Sequence, residues 1–146
     1  MMALIQLITS FFGSLGFSMV FRVPKKNLFL CSLGGVLCCG VYLLSYDCFH
    51  LHLFLASLAA GAACQIYAEI LARLLKAPAT VFYIAALIPM IPGGSLYRTM
   101  DAAVSRDWPM FRLYGSGTAY TTLGLAVGMG LVSGILHLFL HKKKKI

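Results

Sequence analysis

Long apolar runs, separated by short clusters of charged residues, dominate the pattern along the chain. Each run can cross a bilayer as an α-helix, which needs about 20 residues at a rise of 1.5 Å per residue. The runs are apolar on every face, whereas the strands of a membrane barrel alternate apolar and polar residues. The pattern predicts an all-α polytopic membrane protein with one transmembrane domain over residues 1–146. The predicted helices are 3–21, 28–46, 49–71, 78–97 and 116–141.

The composition supports a lipid environment. Hydrophobic residues make up 60% of the chain and charged residues 11%, with a mean hydropathy of +0.88. A soluble domain carries about 25% charged residues. The net charge of +8 comes from Lys and Arg clusters between the apolar runs and at the C-terminus, so it indicates membrane topology rather than a nucleic-acid-binding face.

The basic clusters also predict an orientation. On one side fall Arg22, Lys25, Lys26, Arg73, Lys76 and the tail Lys142 to Lys145. On the other side fall Arg98, Arg106 and Arg112. Because Lys and Arg are retained in the cytoplasm, we expect the N-terminus outside and the C-terminus in the cytoplasm. The segment 98–112 is expected to form an interfacial hairpin on the outer side, which can begin as a helical extension of the fourth helix.

Two prolines and two glycines interrupt the fourth apolar run. Proline removes a backbone donor and clashes with the preceding turn, so the helix must kink or break here. A half-helix that restarts after such a break points free N–H groups at an anion, which suits a solute carboxylate. A plain proline kink that helps packing is the alternative. The predicted substrate-binding residues are Pro89, Pro92, Gly93, Gly94 and Tyr97.

Glu69 lies near the inner end of the third predicted helix, where a carboxylate is costly unless it is paired or hydrated. Arg73 is four residues further on and faces the same side of a helix. One interpretation makes Glu69 a proton-coupling group and Arg73 or Lys76 a cytoplasmic capture site for an anion. The other is an interfacial ion pair in the headgroup region.

Small residues recur at helical spacing in the third and fifth predicted helices. The positions are Ala56, Ala59, Ala60 and Ala63, then Gly124-x-x-x-Gly128 and Gly130-x-x-x-Gly134. Such residues permit close helix approach in membranes, so they predict tight packing wherever two of these helices meet.

The sequence offers little for catalysis. His50 and His52 have no third ligand nearby, so we predict no metal site. Nothing resembles a nucleophile elbow or a phosphate-binding loop. We therefore expect neither an enzyme nor a bound cofactor.

Several local motifs together resemble the small-subunit type of the threonine/serine exporter family. They are Gly16-Phe17, Phe21-Arg22-x-Pro24-Lys25-Lys26, Leu33-Gly34-Gly35, Glu69-Ile70-Leu71-Ala72-Arg73, Lys76-Ala77-Pro78-Ala79-Thr80 and Ile88-Pro89-x-x-Pro92-Gly93-Gly94-x-x-Tyr97-x-Thr99-Met100. The resemblance covers roughly the first four helices. It implies secondary transport across the bacterial inner membrane, with export of threonine, serine or dicarboxylates such as succinate. It also implies a larger membrane subunit as partner, and a homo-oligomer is a further possibility.

Two functions from different classes fit these patterns. The first is a transporter subunit that binds its solute at the broken helix. The second is a scaffold or assembly subunit that stabilises a larger partner without contacting solute. Helix rise places Glu69 roughly 20 Å or more from Gly93, so both cannot touch one small solute at once.

Overall fold

The computed structural model describes the backbone of residues 2–143 and the side chains of residues 2–138. Within this range the chain forms six α-helices and no strand, which confirms the predicted all-α membrane fold. The helices are α1 (Met2–Val20), α2 (Leu28–Leu43), α3 (Leu53–Leu75), α4 (Ala79–Leu87), α5 (Gly93–Val104) and α6 (Trp108–Lys143). The side chains of the predicted basic tail, Lys142 to Lys145, lie outside the described residues.

The fourth membrane span is broken, as predicted. Helices α1, α2 with its flanking turns, α3 and α6 are each long and apolar enough to cross a membrane, while α4 and α5 together can supply a fifth crossing with a bend of 51°. A 3₁₀ turn, Ile88–Met90, follows α4. Ile91 is then extended, with φ −64° and ψ 123°, because a residue that precedes proline is disfavoured in the helical region.

The predicted hairpin 98–112 begins as a helical extension of the fourth span, in agreement with the prediction, and its second half is helical as well. Helix α5 continues to Val104, and α6 begins at Trp108 rather than at residue 116. Asp107 caps α6, since its Oδ1 accepts a hydrogen bond from the Met110 N–H at 3.2 Å. An N-terminal cap satisfies donors that the first helical turn leaves free, which explains the earlier start of the helix.

The ends of α2 and α3 also differ from the predicted bounds. Helix α2 ends at Leu43, three residues before the predicted end at residue 46, and continues as a π-helical turn over Leu44–Cys48. Helix α3 begins four residues later than predicted and ends at Leu75. Lys76 closes it in the left-handed conformation, with φ 50°, and its N–H donates to the Ala72 carbonyl.

Helices α3 and α6 are in direct backbone contact through glycines. A Cβ added at Gly61 would lie 2.6 Å from the Leu125 carbonyl oxygen, and one added at Gly124 would meet backbone and side-chain atoms of α3. A Cβ at Gly128 would collide with the Leu58 carbonyl oxygen. The predicted Gly124-x-x-x-Gly128 motif therefore does pack against α3, as close approach in membranes requires.

The second glycine motif of α6 has a different environment. A Cβ added at Gly130 or Gly134 would meet no described atom within 4 Å. This pair lies on an open face of α6. The two glycine motifs of α6 therefore differ: Gly124 and Gly128 pack against α3, whereas Gly130 and Gly134 contact no described helix.

Small side chains, together with Phe82 and a few aliphatic residues, fill the interior between the helices. Two clusters form the core: Val23, Cys31, Ala68, Leu71, Phe82 and Ala85, and then Cys38, Ala60, Cys64, Ala86 and Leu125. Large apolar residues such as Phe12, Leu74 and Leu131 are exposed instead. This distribution suits a protein whose surface faces lipid, where apolar exposure carries no penalty.

Candidate functional site

A cavity of about 360 Å³ lies at the break in the fourth span. Helices α1, α2, α3, α5 and α6 contribute to its wall together with the break itself. Its polar side chains include Gln6, Thr9, Ser10, Tyr42, Ser95 and Thr121, and none of the described lining residues is charged. This volume falls in the range of small-molecule sites, about 300–1,000 Å³, in which polar groups on the wall orient the ligand.

The break creates free backbone donors beside this cavity. The Gly93 N–H donates to the Ile91 carbonyl at 2.7 Å, and the Leu96 N–H donates to the Pro92 carbonyl at 2.9 Å. The N–H groups of Gly94 and Ser95 have no acceptor within α5, because they belong to its first turn. Ser95 lines the cavity, so the positive end of the α5 dipole lies at its wall.

The structure distributes the predicted substrate-binding residues unevenly. Pro89 and Pro92 line the cavity. Gly93 and Gly94 are exposed, and a Cβ at either would meet no described atom within 4 Å. Tyr97 is 73% exposed and does not line the cavity. The two prolines therefore form part of the cavity wall. Tyr97 faces away from the cavity, and Gly93 and Gly94 offer only backbone groups.

The other wall of the cavity was missed by sequence reasoning. Ser10 is buried and lines the cavity. Thr121 is also buried there, and its Oγ1 donates to the Gly117 carbonyl at 2.9 Å, which leaves its lone pairs free to accept. The available signal was the spacing of Ser10, Ser14 and Ser18, which places three hydroxyls on one face of an apolar helix.

Glu69 and Arg73 form the predicted pair on α3. Arg73 Nη2 lies 3.6 Å from Glu69 Oε2, which is an ion-pair distance longer than a direct hydrogen bond. Both residues border a groove of about 330 Å³ whose other lining residues are apolar and come from α3 and α6. Lys76 is exposed at the end of α3. The pair exists, and its geometry fits a coupling group and an interfacial ion pair equally.

The cavity and the ion pair lie at opposite ends of α3. Leu53, the first residue of α3, lines the cavity, and about 24 Å of helix rise separates it from Glu69. One small solute cannot contact both places in a single state. Either the two act separately, one in coupling and one in binding, or one of them is only structural.

An integral membrane protein with a polar cavity beside a broken helix has the architecture found in secondary transporters. Residues 6–135 match the family model described as Threonine/Serine exporter, ThrE. The chain belongs to this family of exporters, which confirms the resemblance and extends it through most of α6. No solved structure matches the chain.

Proposed function

We propose that this chain is a subunit of a secondary transporter that exports small carboxylate-bearing solutes across the bacterial inner membrane. The candidate solutes are threonine/serine-type amino acids and dicarboxylates such as succinate. The observation that carries the proposal is the cavity at the break, where the first turn of α5 presents unpaired N–H groups. A carboxylate is stabilised by such donors and by the helix dipole.

The absence of charge among the described lining residues favours one solute class over the other. A zwitterionic amino acid carries no net charge, and its carboxylate can accept from α5 while hydroxyls and the Gln6 amide contact its other groups. A dicarboxylate brings two negative charges and finds no cationic side chain in this wall. An amino acid with a small polar side chain therefore fits this cavity better than succinate does.

The second site completes the proposed transport cycle. Glu69, with Arg73 and Lys76, acts as a coupling or gating group at the other end of α3, where protonation of the carboxylate would release Arg73. The Lys and Arg distribution supports a cytoplasmic location for this end and an external N-terminus. The solute then passes from the Glu69 end toward the cavity.

The proposal includes a larger membrane subunit of the same family as partner. One specific observation also supports the scaffold alternative: Gly130 and Gly134 form an open small-residue face on α6, which another helix can approach closely. In that alternative the chain holds its partner in the membrane and the cavity binds no solute.

A matched pair of threonines separates these functions. Thr121 and Thr122 both donate to the carbonyl four residues earlier, at 2.9 and 2.8 Å, but only Thr121 lines the cavity. Cells that lack both halves of such an exporter are loaded with labelled threonine or succinate, and receive this chain alone or with the larger subunit. We expect efflux only with both chains, a reduction of about tenfold in Thr121→Val, and no change in Thr122→Val.

The other outcomes decide against parts of the proposal. Full efflux in Thr121→Val would favour the scaffold function, since the chain would be needed but its cavity would not. No efflux of either solute with both chains present would refute the proposed substrate class.

A further inference from the structure

Helix α1 buries only serines. Within Met2–Val20 the buried residues are Ser10, Ser14 and Ser18, one per turn on a single face. Ser10 lines the cavity together with Cys39 of α2. A Cβ added at Gly35 of α2 would collide with the Ser14 hydroxyl. The serine face of α1 therefore packs on α2 and leads away from the cavity.

The Ser14 hydroxyl is anomalous among these groups. The side chain is fully buried, and its Oγ is the one buried side-chain oxygen or nitrogen without a hydrogen-bond partner among the described residues. Other buried serines donate to the carbonyl four residues earlier: Ser18 does so at 2.6 Å and Ser57 at 2.8 Å. An unsatisfied buried hydroxyl destabilises the state in which it occurs, so its partner is expected in another state.

Helix α1 is also the least buried of the helices that can span a membrane alone. The smallest share of its residues is buried, and the residues that are buried have small side chains. Separation of α1 from α2 would therefore expose little apolar core. One helical turn, about 6 Å along the axis, separates Ser10 from Ser14, which is the length scale of a small amino acid.

We propose that Ser14 is a solute-contacting residue one turn beyond the cavity, and that its hydroxyl donates to the solute carboxylate when α1 separates from α2. This inference rests on the proposed transport function. In this proposal the serine face of α1 and Gly35 of α2 line the path that the solute takes. The Ser14 hydroxyl, which has no partner while α1 packs on α2, then donates to the carboxylate of the solute.

The test compares Ser14→Ala with Ser18→Ala in the efflux assay with the larger subunit present. Ser18 is the matched control because it is equally buried but donates within its own helix. We expect Ser14→Ala to lower threonine efflux about tenfold, the ratio that loss of one hydrogen bond to a charged group represents. We expect Ser18→Ala to retain efflux. Thermal unfolding in detergent should show Ser14→Ala at least as stable as the parent, since it removes an unsatisfied group.

Each other result has a definite meaning. Parent-level efflux in Ser14→Ala, with active unmodified protein, would overturn the inference and leave the proposed function intact. Destabilisation of Ser14→Ala, or its failure to reach the membrane, would make Ser14 a packing residue and would also overturn the inference. Absence of efflux by the unmodified chain with its partner would instead count against the proposed function itself.

Discussion

The α3–α6 contact and the α1–α2 contact both depend on glycine, but they differ in what faces the glycine. Between α3 and α6 the facing atoms are backbone: the Leu125 carbonyl opposite Gly61 and the Leu58 carbonyl opposite Gly128. Between α1 and α2 the closest atoms to Gly35 belong to the Ser14 side chain, and the Ser10 carbonyl oxygen would lie 3.2 Å from an added Cβ. A side chain can change rotamer, whereas helix backbone cannot move without shifting the helix. A larger residue is therefore expected to disturb the α3–α6 contact more than the α1–α2 contact.

The largest effect is expected from Gly128→Ala. Its methyl group would collide with the Leu58 carbonyl and lie 3.0 Å from the Ala62 nitrogen, so α3 and α6 must move apart. We expect a loss of about 1–3 kcal/mol in the free energy of unfolding, as for other overpacked sites. Unfolding in detergent with increasing denaturant measures it.

Gly134→Ala is the matched control on the same helix. No described atom lies within 4 Å of its added Cβ, and alanine favours a helix by up to about 1 kcal/mol over glycine. We expect no loss of stability. Equal destabilisation by the two substitutions would contradict the assignment of Gly128 to a backbone contact.

A smaller effect is expected from Gly35→Ala. The added methyl group meets mainly Ser14, whose Cβ would lie 2.9 Å away. We expect a cost of about 1 kcal/mol, and partial recovery when Ser14→Gly is added, because the two positions are in contact. A double-mutant cycle on the unfolding free energy measures the coupling. Strict additivity of the two substitutions would show that Ser14 does not face Gly35.

The difference between the two contacts also marks the limit of sequence reasoning. Spacing alone predicted that Gly124 and Gly128 share a face, and proline chemistry predicted a kink or break in the fourth apolar run, which the structure shows at Ile91. Neither pattern says which helix lies opposite, because that depends on packing between segments distant in sequence. For this reason Gly130 and Gly134, with the same spacing, were indistinguishable from the pair that packs on α3.

The candidate site shows the same limit. The sequence was sufficient to predict Pro89 and Pro92 as site residues, because the effect of proline on the backbone is local. Ser10 and Thr121 come from the two ends of the chain, and only the tertiary arrangement brings them to the break. Tyr97 follows the break by sequence, but helix α5 turns it outward to 73% exposure.

Glu69→Gln should change stability by less than about 1 kcal/mol, because its ion pair is long and partly exposed. If Glu69 is the coupling group, efflux should nevertheless be lost, since the amide cannot bind and release a proton. Arg73→Gln is the control, because it breaks the same pair but keeps the carboxylate. We expect it to retain part of the efflux. Full efflux by Glu69→Gln would show that Glu69 is not the coupling group and that it forms only an interfacial ion pair with Arg73.

The smallest effect is expected from Gly94→Ala at the start of α5. The added Cβ meets no described atom within 4 Å, and alanine keeps the backbone N–H that the proposed solute carboxylate uses. We therefore expect stability and threonine efflux close to those of the unmodified protein, measured by unfolding in detergent and by the efflux assay. Lost efflux with normal stability would mean that solute approaches α5 from the exposed side of Gly94 rather than from the cavity. The binding site would then lie on that outer face, and the α1–α2 contact would have no part in the solute path.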